Sequence, residues 1–526
     1  MMRQRRGTRQ IAADENRGAP FGAFLFVAAA SFALFWWVGG QGFLIEGFDH
    51  GTTGHAMLLS EGYLHAGFRT PLWLPVEDAR GPLGTWAPYT GWPPLFFIAL
   101  AVFRRLLGTS LATARIFFCL INALSAGLVA LLAWKTTSDR FARVFAVVVF
   151  CFHPVTLNYC GLGFSSTAGL AWSLGLVLLH PWAIEQGSGW RPLPYAILTA
   201  IGSLISWECV LVPVACALAS VSCQPDGKRE PRKWLTPIMS AGITAALLIA
   251  ALQYVGARYE PNGWYQSPEG HSIAWKFLDR TGWAMPHLII PAVSQFVMDV
   301  IVTSSGAIFA LFALLWCRTV WFAREAAHGT SERDGQAPLS GARFYLRAVC
   351  LWPLLWFCLV PLWGEHTFGV LLWLPCLAVG CAAVLSGTAR AQGSSGRRLQ
   401  FGCGLVALCL LVVFGVWRVA ARKDSRLFTS LERDIDALCD ERTVIVTSFN
   451  DRGAWWRLQR SVISLDRLSR IRDRPHVIVL GLPGDELRDG VAHYREIMQR
   501  GDLSGRNEFA GRRYTGYRIL APVTPR

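Results

Sequence analysis

Residues 48–94 read FDHGTTGHAMLLSEGYLHAGFRTPLWLPVEDARGPLGTWAPYTGWPP, and this polar stretch follows an apolar segment at residues 21–40. Connections between secondary-structure elements are usually about 4 to 6 residues long, so a polar stretch of this length is either functional or disordered. Its aromatic residues, among them Tyr63, Trp73 and Trp86, argue against disorder. We therefore expect a folded external loop that holds Asp49 close to the surface of a membrane.

The composition of the chain is that of a membrane protein. Of its 526 residues, 53% are hydrophobic and 16% are charged, whereas about 25% of the residues of soluble proteins are charged. The mean hydropathy is +0.35. Because apolar segments recur along most of the chain, we predict an all-α polytopic membrane protein with about eleven transmembrane helices. Residues 21–40 are too long for the apolar core of a cleavable signal peptide and indicate a retained anchor.

The formal net charge of +15 raises the question of nucleic-acid binding. Most arginines lie in short loops between apolar segments, as is typical of the cytoplasmic loops of membrane proteins, so we expect no nucleic-acid partner. Arginine is far more frequent than lysine, which indicates a GC-rich bacterial genome and hence the bacterial cytoplasmic (inner) membrane. The 14 cysteines lie mostly in or beside apolar segments, and we expect them to be small core residues rather than disulfide or zinc-binding residues.

Basic residues set the order of the segments across the membrane. The basic residues 1–20 place the N-terminus in the cytoplasm, so residues 41–110 form the first external loop. The apolar run after Pro94 ends at Arg104 and is too short to cross about 30 Å of hydrocarbon, so we expect a re-entrant or interfacial helix there. Transmembrane helices two to four are predicted at residues 111–134, 141–157 and 167–184, and helices five and six within residues 193–223, on either side of an outer turn at Trp207-Glu208.

The second half of the chain continues this alternation. A second external loop is predicted at residues 258–286, followed by an interfacial helix at residues 287–300, and residues 324–347 form a basic cytoplasmic loop. Helix seven is predicted at residues 234–255, helix eight up to residue 322, helix nine up to Glu365-His366, helix ten up to residue 385 and helix eleven at residues 401–419.

Residues 425–526 have a soluble composition, in contrast to the membrane domain at residues 21–424. Runs TVIVT at residues 443–447 and HVIVL at 476–480 are typical of buried strands. Amphipathic helices are predicted at residues 427–438 and 486–499. We predict a small extracytoplasmic α/β domain in which no catalytic constellation is visible.

Asp49 is the candidate catalytic residue, since a carboxylate half-buried at a membrane surface has a raised pKa and could act as a general base. A helix N-cap would explain the same residue, because small polar residues follow it. His50, His55 and His65 could bind a divalent metal with Asp49 or Glu61, but His50 and His55 do not share a helix face. We therefore assign no cofactor.

Cations on the external loops could bind a phosphate group or an anionic lipid headgroup, or could be solvated loop charges. They are Arg69, Arg258, Lys276, Arg280 and His287. Ionisable residues at the ends of transmembrane segments tend to be functional, which adds Glu365 and His366 to the candidates. Glu208 is either such a residue or part of a water-exposed turn.

Three motifs resemble the glycosyltransferase C superfamily (GT-C). Phe48-Asp49-His50 opens the first external loop, and Ala112-Thr113-Ala114-Arg115-Ile116 enters the second transmembrane helix. Between them lies Trp92-Pro93-Pro94-Leu95-Phe96. The pattern is most similar to the protein O-mannosyltransferase and lipid A aminoarabinose transferase branch, over residues 20–390.

The resemblance implies a membrane glycosyltransferase that moves a sugar from a polyprenyl-phosphate donor to a hydroxyl acceptor on the extracytoplasmic face, the acceptor being a lipid, a glycan or a protein. It implies Asp49 as the general base, and direct displacement would invert the anomeric carbon. The candidate substrate-binding residues are His50, His55, Arg69, Trp92, Arg258, Lys276, Arg280, Glu365 and His366. The alternatives are a multi-span transporter or lipid flippase, against which the chain shows no internal repeat, and a non-catalytic scaffold.

Three positions depart from the pattern of this branch. Relatives often carry a Lys or His where this chain has Trp92, and a second acidic residue in the turn before helix four, which here reads GFSST at residues 163–167. Some relatives carry a lysine where this chain has Trp207-Glu208. Two interpretations follow, altered donor binding or loss of activity.

Overall fold

The structure is a computed structural model that describes residues 2–40, 48–67, 71–75, 92–185, 191–223, 231–259, 286–303, 337–361, 367–391 and 393–420, and strands between residues 444 and 522. The first half of the chain forms α1 (Met2–Gly39), α2 (Phe48–Ala66), α3 (Leu95–Leu107), α4 (Leu111–Thr136), α5 (Arg140–Phe152), α6 (Pro154–Tyr159), α7 (Ser165–His180), α8 (Pro192–Ile205), α9 (Val212–Cys223) and α10 (Pro231–Tyr259). The second half forms α11 (Ile289–Thr303), α12 (Ala337–Leu359), α13 (Leu374–Ala391) and α14 (Gly393–Ala420).

Within the described residues, six helices are long and apolar enough to cross a membrane, at Pro20–Gly39, Leu111–Thr136, Ser165–Ile184, Trp234–Leu252, Ala342–Leu359 and Gly369–Ser386. They correspond to predicted helices one, two, four, seven, nine and ten. The chain is therefore a multi-pass membrane protein, as its composition predicted. Shorter apolar helices lie at Pro192–Ile205, Trp207–Cys223, Ile289–Val300 and Gly404–Trp417. Most of predicted helix eight lies outside the described residues, so the total of eleven stays a prediction.

The prediction of one continuous helix at residues 141–157 is wrong. α5 ends at Phe152, and His153 has an extended backbone before the short helix α6. Pro154 has no N–H group and a fixed φ, so it begins a helix more readily than it continues one. His153 caps α6, because its Nδ1 accepts a hydrogen bond from the N–H of Val155 at 3.2 Å. Residues 141–157 are therefore divided between α5 and α6.

α3 connects the first external loop to the membrane helices. It begins directly after the Pro93-Pro94 pair, as predicted, and its 13 residues span about 20 Å at 1.5 Å per residue. Its buried side chains, among them Phe96 and Leu100, pack against Met57 of α2 and Phe118 of α4. α3 therefore packs between the loop and α4.

α4 lies at the centre of the membrane domain. Most of its residues are buried, and it packs against α1, α5 and α7. Ser110 caps its N-terminus by accepting a hydrogen bond from the N–H of Thr113 at 3.1 Å. Gly127 lets α1 approach closely, because a Cβ atom there would lie 2.7 Å from the ring of Phe24. Small residues at such positions are typical of tightly packed transmembrane helices.

We call residues 160–166 the α6–α7 turn; they are the link after α6 together with the first two residues of α7. They are buried beside the end of α1. Gly161 of this turn lies directly on Gly39, the last residue of α1. A Cβ atom at Gly161 would be 2.4 Å from the carbonyl oxygen of Gly39 and 2.8 Å from its carbonyl carbon. Glycine is needed here because two backbones meet without room for a side chain.

The C-terminal strands form one mixed sheet in the order β2-β1-β3-β5-β4. They are β1 (Val444–Thr447), β2 (Ser461–Ser464), β3 (Val477–Gly481), β4 (Phe509–Tyr514) and β5 (Tyr517–Pro522). β1 pairs in parallel with β2 and β3, whereas β5 pairs antiparallel with β3 and β4. β1 and β3 coincide with the two predicted strands. The two predicted helices lie outside the described residues, so the α/β domain stays a prediction.

Replacing Gly161 by alanine should destabilise the protein, because the new methyl group would overlap the backbone of Gly39. We expect the free energy of unfolding to fall by about 1–3 kcal/mol, seen as a lower midpoint of thermal unfolding in detergent. Gly175→Ala is the matched control, since a Cβ atom there meets nothing within 4 Å and alanine is the better helix former. Equal midpoints for the two variants would contradict the contact between Gly39 and Gly161.

Candidate functional site

The predicted first external loop contains α2, so this part of the loop is folded, as expected. Asp49 and His50 lie in the first turn of α2, and their side chains lie outside the described part of the structure. Because α2 begins at Phe48, Asp49 lies inside the helix rather than at its N-cap. His55 is buried.

Arg104 of α3 holds α2 in place. Its side chain is 1% exposed, and Nη1 donates hydrogen bonds to Ser60 Oγ at 2.6 Å and to the carbonyl of Met57 at 3.3 Å. Nη2 pairs with the carboxylate of Glu61 at 2.8 Å and donates to the carbonyl of Thr109 at 2.7 Å. One side chain therefore joins a turn of α2 to the link between α3 and α4.

Glu61 is the acidic partner in this arrangement. Burial alone would raise the pKa of Glu61, but the charge of Arg104 and the hydrogen bond with His65 outweigh it, so the pKa is lowered. His65 Nε2 lies 2.9 Å from Glu61 Oε1. Glu61 and His65, two of the residues considered as metal ligands, are thus paired with each other, and Glu61 is also paired with Arg104. In the part of the chain that the structure describes, no three His, Cys, Asp or Glu residues are grouped so as to hold a metal ion.

Thr53 of α2 and the motif residue Trp92 contact the α6–α7 turn. Thr53 of α2 accepts a hydrogen bond on Oγ1 from the N–H of Gly163 at 2.9 Å. Trp92, the residue before the Pro-Pro pair, packs edge-on against Phe164 with the ring centroids 5.5 Å apart. α2 and the segment just before α3 therefore both contact this turn.

The third motif segment contacts the turn from α4. Arg115 is buried, and its Nη1 donates a hydrogen bond to the carbonyl of Gly161. Two turns of α4 further on lies Asn122, whose Nδ2 donates to the carbonyl of Cys160 at 3.2 Å. These side chains satisfy backbone carbonyls that have no access to water. Two of the three segments that carry the resemblance, those of Trp92 and Arg115, thus contact the α6–α7 turn, and Thr53, three residues after the first segment, contacts it as well.

A carboxylate also lies at this turn. Glu208 belongs to the 3-10 segment Trp207–Leu211 between α8 and α9, and it is fully buried. Its carboxylate accepts hydrogen bonds from the hydroxyls of Ser166 and Ser206. Of the two alternatives for Glu208, the water-exposed turn is therefore wrong, because neighbouring helices cover this carboxylate. The α6–α7 turn has no acidic residue of its own, but Glu208 supplies one from the connection between α8 and α9.

The first loop also reaches α10. Leu74, just after the 3-10 segment Pro71–Trp73, packs against Leu252 and Val255 of α10. Arg258 lies three residues after Val255, in the last turn of α10, and its side chain lies outside the described residues. The end of α10, which includes Arg258, therefore lies close to the first loop.

The remaining candidates lie outside the described residues. They are Arg69, Lys276, Arg280, Glu365 and His366. His287 is described and exposed, in the 3-10 segment Pro286–Leu288 before α11. The substrate-binding roles of all these residues stay predictions.

Arg104, Thr53 and Ser166 are site residues that sequence reasoning missed. In the sequence, Arg104 is a basic residue at the end of an apolar segment, which is common. Its partner Glu61 lies 43 residues earlier, so the pair is not evident from the sequence. A signal was present, because Phe97, Leu100 and Arg104 follow one another at helical spacing, which places Arg104 on the apolar face of α3.

No family model and no curated protein matches the chain, but solved structures do. ArnT from Cupriavidus metallidurans bound to undecaprenyl phosphate matches with a TM-score of 0.59 at 11% identity, over 95% of this chain and 97% of that chain. The oligosaccharyltransferase of Archaeoglobus fulgidus in complex with zinc and sulfate matches with a TM-score of 0.52 at 14% identity, over 87% of this chain and 67% of that chain. Both proteins belong to the GT-C superfamily.

The chain has the GT-C fold. The fold expected from the three motifs is thereby confirmed, and the match to ArnT extends over nearly the whole of both chains. Within this GT-C fold, the α6–α7 turn is the point where α2, Trp92, α4 and Glu208 meet.

Glu61→Gln should destabilise the protein, because Arg104 would stay buried without its negatively charged partner. We expect a loss of about 1–3 kcal/mol in the free energy of unfolding, measured by thermal unfolding in detergent at neutral pH. His65→Ala is the matched control, since it removes the exposed partner of the same carboxylate and should cost only about 0–1 kcal/mol.

The same pair predicts a dependence on pH. Because the pKa of Glu61 is lowered in the folded protein, its contribution to stability is present above the pKa of the unfolded chain and is lost as the pH falls through the folded value. The difference in stability between wild type and Glu61→Gln should therefore shrink in acid. A difference that stays constant down to acidic pH would contradict an ionised pair.

Proposed function

We propose that the protein is a membrane glycosyltransferase that transfers a sugar from a polyprenyl-phosphate donor to a hydroxyl group of an acceptor on the extracytoplasmic face. The observation that carries the proposal is the likeness, over 95% of the chain, to ArnT with bound undecaprenyl phosphate. One fold can host several functions. The second support is therefore that Trp92 and Arg115 of two motif segments contact the α6–α7 turn, together with Thr53, three residues after the first segment.

Asp49 is the proposed general base. It takes the proton of the acceptor hydroxyl while the hydroxyl oxygen attacks the anomeric carbon of the sugar. The bond between this carbon and the phosphate oxygen breaks, and polyprenyl phosphate leaves with the electron pair. Attack from the side opposite the leaving group inverts the anomeric carbon. A single carboxylate suffices because a phosphate leaving group needs stabilisation of its charge rather than a protonated acid.

The place of Asp49 along α2 supports this role. Asp49 lies four residues before Thr53, and residues at this spacing share one face of a helix. Thr53 is hydrogen-bonded to Gly163 of the α6–α7 turn, so this face of α2 is the one turned towards the site. The N-terminal end of a helix also favours an ionised carboxylate, the form that a general base requires.

The phosphate of the donor needs cations close to the leaving oxygen. We assign this role to basic residues that include Arg258, because the packing of Leu74 on Val255 brings the first loop to the end of α10. The proposed phosphate ligands are Arg69, Arg258, Lys276 and Arg280. The residues proposed to contact the sugar and the rest of the donor are His50, His55, Trp92, Glu365 and His366.

This function fits a chain that crosses the bacterial inner membrane about eleven times, with residues 1–20 in the cytoplasm. It also fits an extracytoplasmic α/β domain at residues 425–526. Two observations support that domain: β1 pairs in parallel with both β2 and β3, and parallel strands need long crossover connections that are usually helical.

Asp49→Asn should lower the rate of transfer by about 100- to 10,000-fold, as loss of a general base does. The assay uses purified protein in lipid vesicles, a panel of radiolabelled polyprenyl-phosphate sugars and a bacterial membrane extract as the source of acceptor. The measured quantity is the release of free polyprenyl phosphate. The donor that the wild type consumes identifies the sugar.

Asp139→Asn is the control for this substitution. Asp139 caps α5 by accepting a hydrogen bond from the N–H of Ala142 at 2.9 Å, and asparagine caps a helix equally well, so this variant should keep the wild-type rate. Full activity in Asp49→Asn would overturn its role as the base. A wild type that neither binds nor consumes any donor would favour a transporter, a lipid flippase or a non-catalytic scaffold.

A further inference from the structure

Hydrogen bonds to its backbone and its side chain hold Glu208 in place beside the α6–α7 turn. It lies in Trp207–Leu211, and its backbone carbonyl accepts a hydrogen bond from the indole N–H of Trp352 in α12 at 2.9 Å. Its carboxylate accepts from Ser206, two residues earlier, and from Ser166, 42 residues earlier in the first turn of α7. A buried carboxylate is costly unless it is hydrogen-bonded, and these two hydroxyls supply the hydrogen bonds.

The contact between Trp207–Leu211 and α7 depends on a glycine. A Cβ atom at Gly169 would lie 2.7 Å from the Cβ of Ser206 and 3.5 Å from Glu208 Oε2. A side chain at this position would push the segment away from α7, and the carboxylate would then no longer reach Ser166. The close approach of Glu208 to the turn therefore depends on glycine at position 169.

A short series of contacts leads from Glu208 to the start of α2. Ser166 lies three residues after Gly163, in the same turn, and the N–H of Gly163 donates to Thr53 Oγ1 at 2.9 Å. Thr53 lies one helical turn after Asp49. Because buried turns with satisfied hydrogen bonds move little, a shift of Ser166 would pass through Gly163 to the first turns of α2.

We propose that Glu208 is a positioning residue for the transfer reaction. By holding Ser166 it fixes the α6–α7 turn, and through Gly163 and Thr53 it fixes the helical turn that carries Asp49. Glu208 does not touch the substrates in this proposal. The inference depends on the proposed role of Asp49, and its test includes one measurement that needs no activity.

The first measurement is hydrogen exchange of the peptide that covers residues 48–57, in protein reconstituted into lipid nanodiscs. Ser166→Ala should cause this peptide to lose protection, because the turn that binds α2 is released. Ser206→Ala is the matched control, since it removes one hydroxyl from the same carboxylate but leaves the bond to the turn. Equal exchange in the two variants would overturn the proposal.

The second measurement is kinetic. Ser166→Ala should lower kcat by about tenfold to 100-fold through misplacement of the base, with the KM for the donor within about twofold of wild type. Glu208→Gln, which keeps one carbonyl acceptor, should lose less. Added to Asp49→Asn, Ser166→Ala should cause no further loss, because residues that act on one group are not additive. Losses that multiply in the double variant would show a merely structural role and overturn the proposal.

A second pair of variants covers the case in which Ser166→Ala does not fold. Thr53→Val removes the hydroxyl at the other end of the series and should reproduce the loss of protection and of kcat, whereas Thr53→Ser keeps the hydroxyl and should restore both. No difference between these two variants would overturn the proposal. Full activity in Asp49→Asn would instead overturn the proposed function, and the exchange data would still decide whether Glu208 fixes α2.

Discussion

Residues 160–164 of the α6–α7 turn are irregular backbone in an apolar interior, and their peptide groups must be hydrogen-bonded without water. Helices meet this requirement by themselves, but a turn depends on side chains from its neighbours. Arg115 and Asn122 of α4 donate to two of its carbonyls, and Thr53 of α2 accepts from one of its N–H groups. The need to satisfy one buried turn therefore determines where α2 and α4 stand relative to each other.

This arrangement shows how a long loop can hold the proposed base in place. Loops carry function when a rigid scaffold fixes them, and α2 is fixed at both ends. Near its start it is bound to the turn through Thr53, and near its end to α3 through Arg104, whose partners are Ser60 and Glu61. The apolar contact of Leu74 with α10 fixes the loop further along.

Much of the fold could be predicted because the transmembrane helices are long and apolar, as α4 and α7 are. The break at His153-Pro154 was missed because an apolar run hid a proline whose effect is local. In the site, the motif around Asp49 was visible, but the ion pair of Arg104 was not, since its partner is distant in sequence and a basic residue at a helix end is common. The hydrogen bond that Ser166 donates to Glu208 could not be predicted from the sequence either, because it depends on how α7 packs against the connection between α8 and α9.

The bond between Thr53 and Gly163 joins residues that are 110 positions apart, and this separation has a consequence for biogenesis. A ribosome that adds about 5–20 residues per second needs roughly 5 to 20 s to make the intervening chain. During that time α1 and α2 have left the ribosome without the turn that later binds them. Arg104 follows Glu61 by only 43 residues, so both partners that join α2 to α3 are synthesised well before Gly163.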